Sequence, residues 1–266
     1  MTSTRYGYRN LKKAFIQNSR HSKWNKAVRR EIIDRFEAID KNIINGTAPT
    51  EVLFMAEALL NIKATGSIVE CGCWAGSSTA KLSILAKLLG KKMFVFDSFE
   101  GLPNISFQDG TDLHTRQRTK FFIPWRSGEM SAGLGQVKRN LKKYGEISVV
   151  TFHKGWFKDT LLKKNLPDKI AFAFTDVDIV SSVKKCITAI WPRISERGVY
   201  FSHDVAFIKS LQALLNEKLW KDVLKEFPPI LFGAGFGMSD SSNHLGFFVK
   251  GKSVHPEYIK SLTVYK

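Results

Sequence analysis

The sequence lacks the long hydrophobic runs that membrane and secretory proteins carry. No apolar stretch among its 266 residues approaches the roughly 18 residues of a membrane span, and the N-terminus has no apolar core of the kind found in secretory signals. It has only three cysteines, Cys71, Cys73 and Cys186, and an odd number without a framework is typical of a reducing compartment. We therefore expect a cytoplasmic protein with no transmembrane segment.

Two further patterns are missing, and each absence argues against a class of site. Cys71-Gly72-Cys73 has no second ligand pair at zinc-binding spacing, so we expect small core thiols there rather than a zinc site. The glycines of the same region do not form the three-glycine fingerprint that cradles a dinucleotide pyrophosphate. The sequence therefore argues against a zinc centre and against a nicotinamide cofactor.

Acidic residues are scarce, with 24 Asp and Glu against 41 Lys and Arg and a formal net charge of +17. A run of basic residues precedes the first acid, Glu31. Such an arm is either a solvated, partly disordered terminus or a docking segment for an anionic partner such as nucleic acid, a membrane surface or an acidic protein. We divide the chain into a basic N-terminal arm and helix at residues 1–45 and a main domain at residues 46–266.

Short apolar runs and helical patterns alternate through the main domain. The predicted strands lie at residues 67–69, 93–96, 147–152, 170–174, 198–201, 228–232 and 245–249. Helical patterns separate the first five strands, and a long helix is predicted at 208–224 before the last two. This alternation predicts an α/β fold, a doubly wound, mostly parallel seven-stranded sheet with a C-terminal antiparallel hairpin. Residues 101–130 have no regular pattern, and we interpret them as an active-site flap.

The first strand, turn and helix have the features of a nucleotide-binding unit. Glu70 ends the strand, Gly72 and Gly76 lie in the turn, and Asp97 ends the following strand. Gly72 allows the backbone to approach a ligand, and Asp97 is placed to bond both hydroxyls of a ribose. We interpret this unit as a pocket for S-adenosylmethionine, with a purely structural tight turn as the alternative.

Gly155 and Trp156 follow the third strand. Trp156 either covers the face of an adenine or fills the core. The preceding His153 is more typical of a satisfied polar group than of a catalyst. All three residues follow a strand whose carboxyl end faces the ligand edge of a parallel sheet.

Polar side chains also end the fourth and fifth predicted strands. Asp176 and Asp178 follow the fourth strand, and His203 and Asp204 follow the fifth. Carboxylates gathered at one sheet edge repel one another unless a divalent cation binds them, and oxygen ligands suit magnesium or calcium. A histidine shifts the preference towards manganese, iron or zinc. The alternative is that Asp178 and Asp204 cap the helices that follow them.

Four stretches together resemble the macrocin O-methyltransferase family, which methylates sugar hydroxyls of macrolide and aminocoumarin antibiotics. They are VECGCWAGSS at 69–78, VFDSFEGLP at 95–103, VKRNLKKYG through GWFKDTL at 137–161, and TDVD with SHD at 175–204. The similarity runs from about residue 49 to 250 and leaves the N-terminal arm outside. The resemblance implies a class I, Rossmann-like, S-adenosylmethionine-dependent methyltransferase.

The resemblance also implies roles for individual residues. The turn and the FDSFEGLP stretch hold the cofactor, here through Glu70, Gly72, Gly76, Asp97 and Ser98. Asp176 corresponds to a catalytic magnesium ligand and Asp178 to the general base. An adjacent pair of acids completes the metal site.

This chain departs from the family pattern at two positions. The adjacent acid pair is here His203-Asp204, and Val180 replaces an aromatic residue. We therefore predict that Asp176, His203 and Asp204 bind a divalent metal with an altered preference, magnesium or a softer ion such as manganese.

The sequence thus predicts a metal-assisted O-methyltransferase that acts on a hydroxyl of a sugar or glycosylated small molecule. A homo-oligomer is the expected assembly. Two alternatives stay open at this point. One is a binding protein that keeps the fold but no longer methylates, and the other is a nucleic-acid methyltransferase that uses the basic surface.

Overall fold

A seven-stranded sheet forms the centre of the computed structural model, which describes residues 3–18, 23–104, 126–233 and 244–251. The strands are β1 (Ser67–Cys71), β2 (Met93–Asp97), β3 (Val150–Lys154), β4 (Ile170–Thr175), β5 (Ile194–Ser202), β6 (Phe232–Gly233) and β7 (Gly246–Val249). Their order is β3-β2-β1-β4-β5-β7-β6. The first five strands are parallel, and β7 runs antiparallel to both β5 and β6. The predicted fold class is confirmed.

Helices cover both faces of this sheet. They are α1 (Ser3–Gln17), α2 (Lys26–Asn42), α3 (Pro49–Leu60), α4 (Ser77–Leu88), α5 (Leu134–Tyr144), α6 (Phe157–Thr160), α7 (Val180–Ile190) and α8 (Ile208–Leu214). Every residue of β4 is buried, and its side chains alternate between two cores. Phe172 and Phe174 join the core under α1–α4, whereas Ala173 joins the core under α7. A strand covered on both faces carries apolar residues at successive positions, which explains the uninterrupted apolar run at residues 170–174.

The N-terminal arm packs against the domain instead of standing free in solvent. Leu11 and Phe15 of α1 are buried in the same core as α2 and α3. Arg29 of α2 is fully buried, and its guanidinium donates to both carboxylate oxygens of Glu57 and to the carbonyl of Phe15. For residues 7–17, therefore, the interpretation as a solvated arm was wrong, because their apolar face contributes to the core.

The chain after β5 differs from the prediction in two places. The expected helix at 208–224 is interrupted, because α8 ends at Leu214 and a π-helix covers Leu219–Leu224. The expected strand at 228–232 shrinks to β6, only two residues long. Pro228 and Pro229 lack the N–H groups that a ladder needs, so the strand begins only beyond them.

Two further segments bear on the sequence predictions. Of the predicted flap at 101–130, residues 105–125 lie outside the described part of the chain, as do residues 234–243 of the predicted hairpin loop. The two described ends of the flap meet, because the amide of Leu102 donates to the carbonyl of Glu129 at 2.8 Å. Cys71, Cys73 and Cys186 are buried free thiols, as predicted. None of the described helices combines the length and apolarity needed to cross a membrane.

The buried ion pair of Arg29 and Glu57 yields a stability prediction. Replacing Arg29 by Met leaves a buried carboxylate without its cation, so we expect Arg29→Met to lower the free energy of unfolding by about 3 kcal/mol or more. The neighbouring Arg30 is exposed, and we expect Arg30→Met to change it by less than about 0.5 kcal/mol. Urea unfolding of the two variants checks this, and equal midpoints would show that the pair contributes nothing.

Candidate active site

A cleft of about 560 Å³ opens at the carboxyl ends of β1 to β4, where ligands bind in sheets of this type. Its walls come from the segment before α3 and from the turns that follow the four strands. Of the predicted site residues, the lining includes Gly72, Asp97, Ser98, Gly155, Trp156, Asp176 and Asp178. The other predicted residues are not among those that line the cleft in the described part of the chain: Glu70, Gly76, His203 and Asp204.

Gly72 lies where two strand ends nearly touch. Its φ of +80° favours glycine, and a Cβ at this position would lie 1.9 Å from the carbonyl oxygen of Asp176. The amide of Gly72 donates to Phe96 and the amide of Asp176 donates to Cys71, each at 3.0 Å. Gly76 has a different role, because a Cβ there would meet Val137 of α5 at 2.9 Å. Gly76 therefore permits packing between helices, whereas Gly72 shapes the floor of the cleft.

Asp97 accepts hydrogen bonds from three backbone amides, two in the turn after β1 and one just beyond β2. One carboxylate oxygen accepts from the amides of Cys73 at 2.7 Å and Trp74 at 3.3 Å, and the other accepts from Phe99 at 2.6 Å. A carboxylate offers about four acceptor positions, so about one remains for a ligand hydroxyl. Ser98 also shapes its own turn, since its hydroxyl donates to the carbonyl of Gly101 at 2.8 Å.

The aromatic residues after β3 divide between the cleft and the core. Trp156 is half-buried and lines the cleft, whereas the adjacent Phe157 packs against the core under α7. His153 stacks on Phe96 with ring centroids 4.5 Å apart, and burial lowers the pKa of its imidazole. Trp156 therefore borders the cleft. The expectation of a satisfied polar group at His153 is wrong, because its Nε2 has no hydrogen-bond partner among the described residues.

Glu70 is fully buried beneath the turn. Within the described residues neither of its carboxylate oxygens has a hydrogen-bond partner of standard geometry. Burial raises the pKa of Glu70 to about 8; the hydroxyls of Ser78 and Thr79 lower it in part, and Asp97 and Asp176 raise it further. Glu70 therefore lies beneath the turn and is not among the residues that line the cleft.

Three carboxylates converge at the ends of β4 and β5. Asp176, Asp178 and Asp204 each place a carboxylate oxygen within 4.8 Å of the other two. The carboxylate of Asp204 accepts from the amides of Asp178 at 2.9 Å and Val177 at 3.3 Å. Burial, followed by repulsion from Asp176 and Asp204, raises the pKa of Asp178 to about 8. The capping alternative fails for Asp178, because the N-cap residue of α7 is Ile179 and no side chain caps the helix.

His203 stands beside this group, and both of its ring nitrogens have partners. Nε2 lies 3.0 Å from Glu51 of α3, and Nδ1 lies 3.3 Å from Asp176. Burial lowers the pKa of His203, but Asp176 and Glu51 outweigh it and raise that pKa to about 11. Sequence reasoning missed Glu51, although an acid within the apolar helix 49–60 was a signal that a buried cation lies nearby.

The strand order and this cleft define a class I methyltransferase fold. The O-methyltransferase NovP shares it with a TM-score of 0.59 and 18% identity, over 94% of this chain and 100% of that one. The calicheamicin methyltransferase CalS11 gives a TM-score of 0.55 and 17% identity, over 83% of this chain and 93% of that one. No curated protein matches the sequence significantly. Residues 9–224 match the TylF macrocin-O-methyltransferase family, and the chain belongs to that family.

Family membership makes this protein an O-methyltransferase, which sets aside the alternative of a non-catalytic binding protein. It also corrects a boundary. The match begins at residue 9, within α1, whereas the sequence comparison placed the start near residue 49. Residues 9–45 therefore lie within the family match, and Leu11 and Phe15 among them are buried.

The close approach at Gly72 predicts a large effect of a single methyl group. Gly72→Ala drives a Cβ into the Asp176 carbonyl and also forces a positive φ on alanine, so we expect a loss of stability above about 2 kcal/mol. Gly90 also has a positive φ, +64°, but a Cβ there would meet no other atom. Gly90→Ala therefore measures the backbone strain without a steric clash, and we expect it to lower the free energy of unfolding by about 1 kcal/mol. Urea unfolding compares the two variants, and equal losses would mean that the contact is easily relieved.

The buried Glu70 predicts a pH-dependent stability. Its pKa rises from 4.5 to about 8 on folding, so its contribution is complete below pH 4.5 and declines as the pH rises towards 8. In the wild type, Glu70 should lower the free energy of unfolding by up to about 1.4 kcal/mol per pH unit over this range. In Glu70→Gln this part of the pH dependence should be absent. Glu100→Gln, at an exposed position, should keep the wild-type slope. Parallel curves for all three proteins would contradict the assignment.

Proposed function

We propose that this protein transfers a methyl group from S-adenosylmethionine to a hydroxyl of a sugar or glycosylated small molecule. The observation that carries the proposal is that one cleft contains both the turn organised by Asp97 and the buried acid Asp178. A methyltransferase needs these two functions side by side, one to hold the methyl donor and one to receive the proton of the acceptor.

The residues of the cleft fit the cofactor. Asp97 retains an acceptor position for a ribose hydroxyl, Gly72 leaves the floor without a side chain, and Trp156 offers a ring to an adenine. Gly155 and Ser98 shape the turns on either side, whereas Glu70 and Gly76 support the turn from behind. When bound there, S-adenosylmethionine supplies an activated methyl group.

Asp178 is the proposed general base. It lies in the cleft, and its raised pKa of about 8 is close to neutral pH, where a base is most effective. The backbone amide of Asp178 donates a hydrogen bond to the carboxylate of Asp204, which fixes the backbone of Asp178 at its φ of +61°. Asp178 would accept the proton of the acceptor hydroxyl, whose oxygen would take the methyl group that S-adenosylmethionine supplies; the carbon–sulfur bond would break and S-adenosylhomocysteine would leave. Most of the rate would come from holding the two reactants in line.

The acid group also fits a divalent cation. Three carboxylates within 4.8 Å form an all-oxygen set, which suits magnesium, and buried like charges otherwise repel one another. Asp176 and Asp204 would hold the ion, which would supply a Lewis acid that lowers the pKa of a hydroxyl, and Asp178 beside them would keep its role as the base. Both nitrogens of His203 already have carboxylate partners, so we propose that it positions Asp176 instead of ligating the metal.

A sugar acceptor follows from the family resemblance and from two of the structural neighbours. The stretches VFDSFEGLP and GWFKDTL resemble enzymes that methylate sugar hydroxyls, and the fold is shared with an O-methyltransferase and a calicheamicin methyltransferase. Val180 replaces the family's aromatic residue beside Asp178. We therefore propose the chemical class of the acceptor and not one of the family's antibiotics.

Removing the base should separate chemistry from cofactor binding. We expect Asp178→Asn to lower methyl transfer from labelled S-adenosylmethionine to a panel of glycosides by about 10²–10⁴-fold. The affinity for S-adenosylhomocysteine, measured by calorimetry, should stay within about two-fold. Asp168→Asn, at an exposed position, should change neither quantity. Retained turnover in Asp178→Asn would place the base elsewhere.

Metal titration tests the donor set independently of turnover. We expect magnesium to bind the wild-type protein and Asp204→Asn to weaken that binding at least about ten-fold, because one of the two carboxylate ligands, Asp176 and Asp204, is lost. His203→Gln should weaken it less, since the ring acts only through Asp176. Absence of magnesium and manganese binding in both the wild type and His203→Asp would remove the metal from the proposal.

A further inference from the structure

A buried acid outside the sheet reaches the acid group through a histidine. Glu51 lies in the first turn of α3 and is only 1% exposed. Its Oε2 lies 3.0 Å from Nε2 of His203, and Nδ1 of the same ring lies 3.3 Å from Oδ1 of Asp176. The three side chains therefore form a continuous chain from α3 to the cleft, which Asp176 lines.

The direction of the Asp176 carboxylate depends on this chain. Of the residues that the structure describes, only His203 offers a hydrogen-bond partner to that carboxylate. The neighbouring Asp204 is held differently, because its carboxylate accepts from two backbone amides. Asp176 is therefore only as well ordered as the imidazole beside it.

The imidazole needs a second contact to keep its orientation. His203 stacks on His244 with ring centroids 5.3 Å apart, which restricts the plane of the ring. Stacking does not decide which edge of the ring faces Asp176, because a half-turn about χ2 exchanges Nδ1 for a carbon atom. Glu51 accepts from Nε2 and thereby selects the orientation in which Nδ1 points at Asp176.

Stability alone does not explain an acid at position 51. Oε2 of Glu51 also accepts from the amide of Ala48 at 2.8 Å, but Oε1 is buried without a hydrogen-bond partner in the described part of the chain. Burying a carboxylate that is only partly satisfied is costly, and apolar residues often replace a buried ion pair without loss of stability. The contact with His203 is what an apolar residue could not provide.

We propose that Glu51 is a positioning residue for methyl transfer and acts on Asp176 through the imidazole of His203. This inference rests on the proposed function, in which Asp176 serves the acceptor side of the cleft. Glu51 is not among the described residues that line the cleft, so it contacts neither reactant directly. Once the imidazole is removed, Glu51 has no route to the acid group.

A double-mutant cycle tests this dependence on His203. We expect Glu51→Gln and His203→Gln each to lower kcat for methyl transfer by about ten-fold, because both release the same carboxylate. The double variant should be no slower than His203→Gln alone. Glutamine keeps an acceptor for the amide of Ala48, so the start of α3 is preserved.

Two further measurements separate positioning from a general loss of structure. The affinity of every variant for S-adenosylhomocysteine, measured by calorimetry, should stay within about two-fold, since only the chemical step is affected. Glu51→Gln and His203→Gln should also weaken magnesium binding by the same factor. The matched control is Glu146→Gln, which removes a half-buried ion pair with Arg35 away from the described cleft lining and should leave all three quantities unchanged.

Each other outcome has a definite meaning. A double variant slower than His203→Gln would show that Glu51 acts by another route and would overturn the proposal. An unchanged kcat in Glu51→Gln would also overturn it while leaving the proposed function intact, and so would a loss of S-adenosylhomocysteine affinity as large as the loss of kcat. If Glu51→Gln fails to fold, the double variant removes both charges of the pair, and its comparison with His203→Gln decides. A wild type that methylates no glycoside would refute the proposed function, and additive losses of magnesium binding across the cycle would then overturn this inference separately.

Discussion

The backbones that leave β1 and β4 approach each other so closely that no side chain fits at Gly72. That contact sets the geometry of everything around it, because it places the Asp176 carbonyl against the turn that follows β1. The amides of Gly72 and Asp176 bond across to the neighbouring strands, so β1, β2 and β4 end at one level. Asp97 then reaches the amides of Cys73 and Trp74. The turn after β1 and the acid group are therefore parts of one sheet edge.

Each acid at this edge is stabilised in a different way. Backbone amides satisfy Asp97 and Asp204, whereas Asp176 faces the imidazole of His203. His203 is held in turn by Glu51, which also accepts from the amide of Ala48 at the start of α3. Taking a carboxylate out of water is costly unless such partners are present. The acid group is consequently coupled to a helix outside the sheet and to the segment that borders the cleft.

Much of the architecture could be predicted because the relevant patterns are local. The apolar run at Ile170–Phe174 and the acid directly after it already predicted a buried parallel strand with a polar group at its carboxyl end. Pro228 and Pro229 were a local signal too, because proline has no N–H group to donate to a neighbouring strand. The strand predicted at 228–232 ignored that signal and proved too long. The burial of α1 was harder to predict, because its basic residues dominate the composition while only one face, through Leu11 and Phe15, enters the core.

The composition of the site shows where local patterns stop being informative. His203 and Asp204 are adjacent in sequence, yet one faces Glu51 and the other lies with Asp176 and Asp178. A strand-end motif predicts that two side chains reach the same edge, but not the direction in which each one turns.

The sequence by itself determined the order of strands and helices, the acids at the sheet edge and the family, since these follow from periodicity and short motifs. Only the tertiary structure decided that Lys81 meets Asp40 and that His203 meets Glu51, 152 positions away. Such pairs form because a buried charge is stabilised by a partner that lies close to it in space. The distance between two residues in space cannot be read from their separation in the sequence.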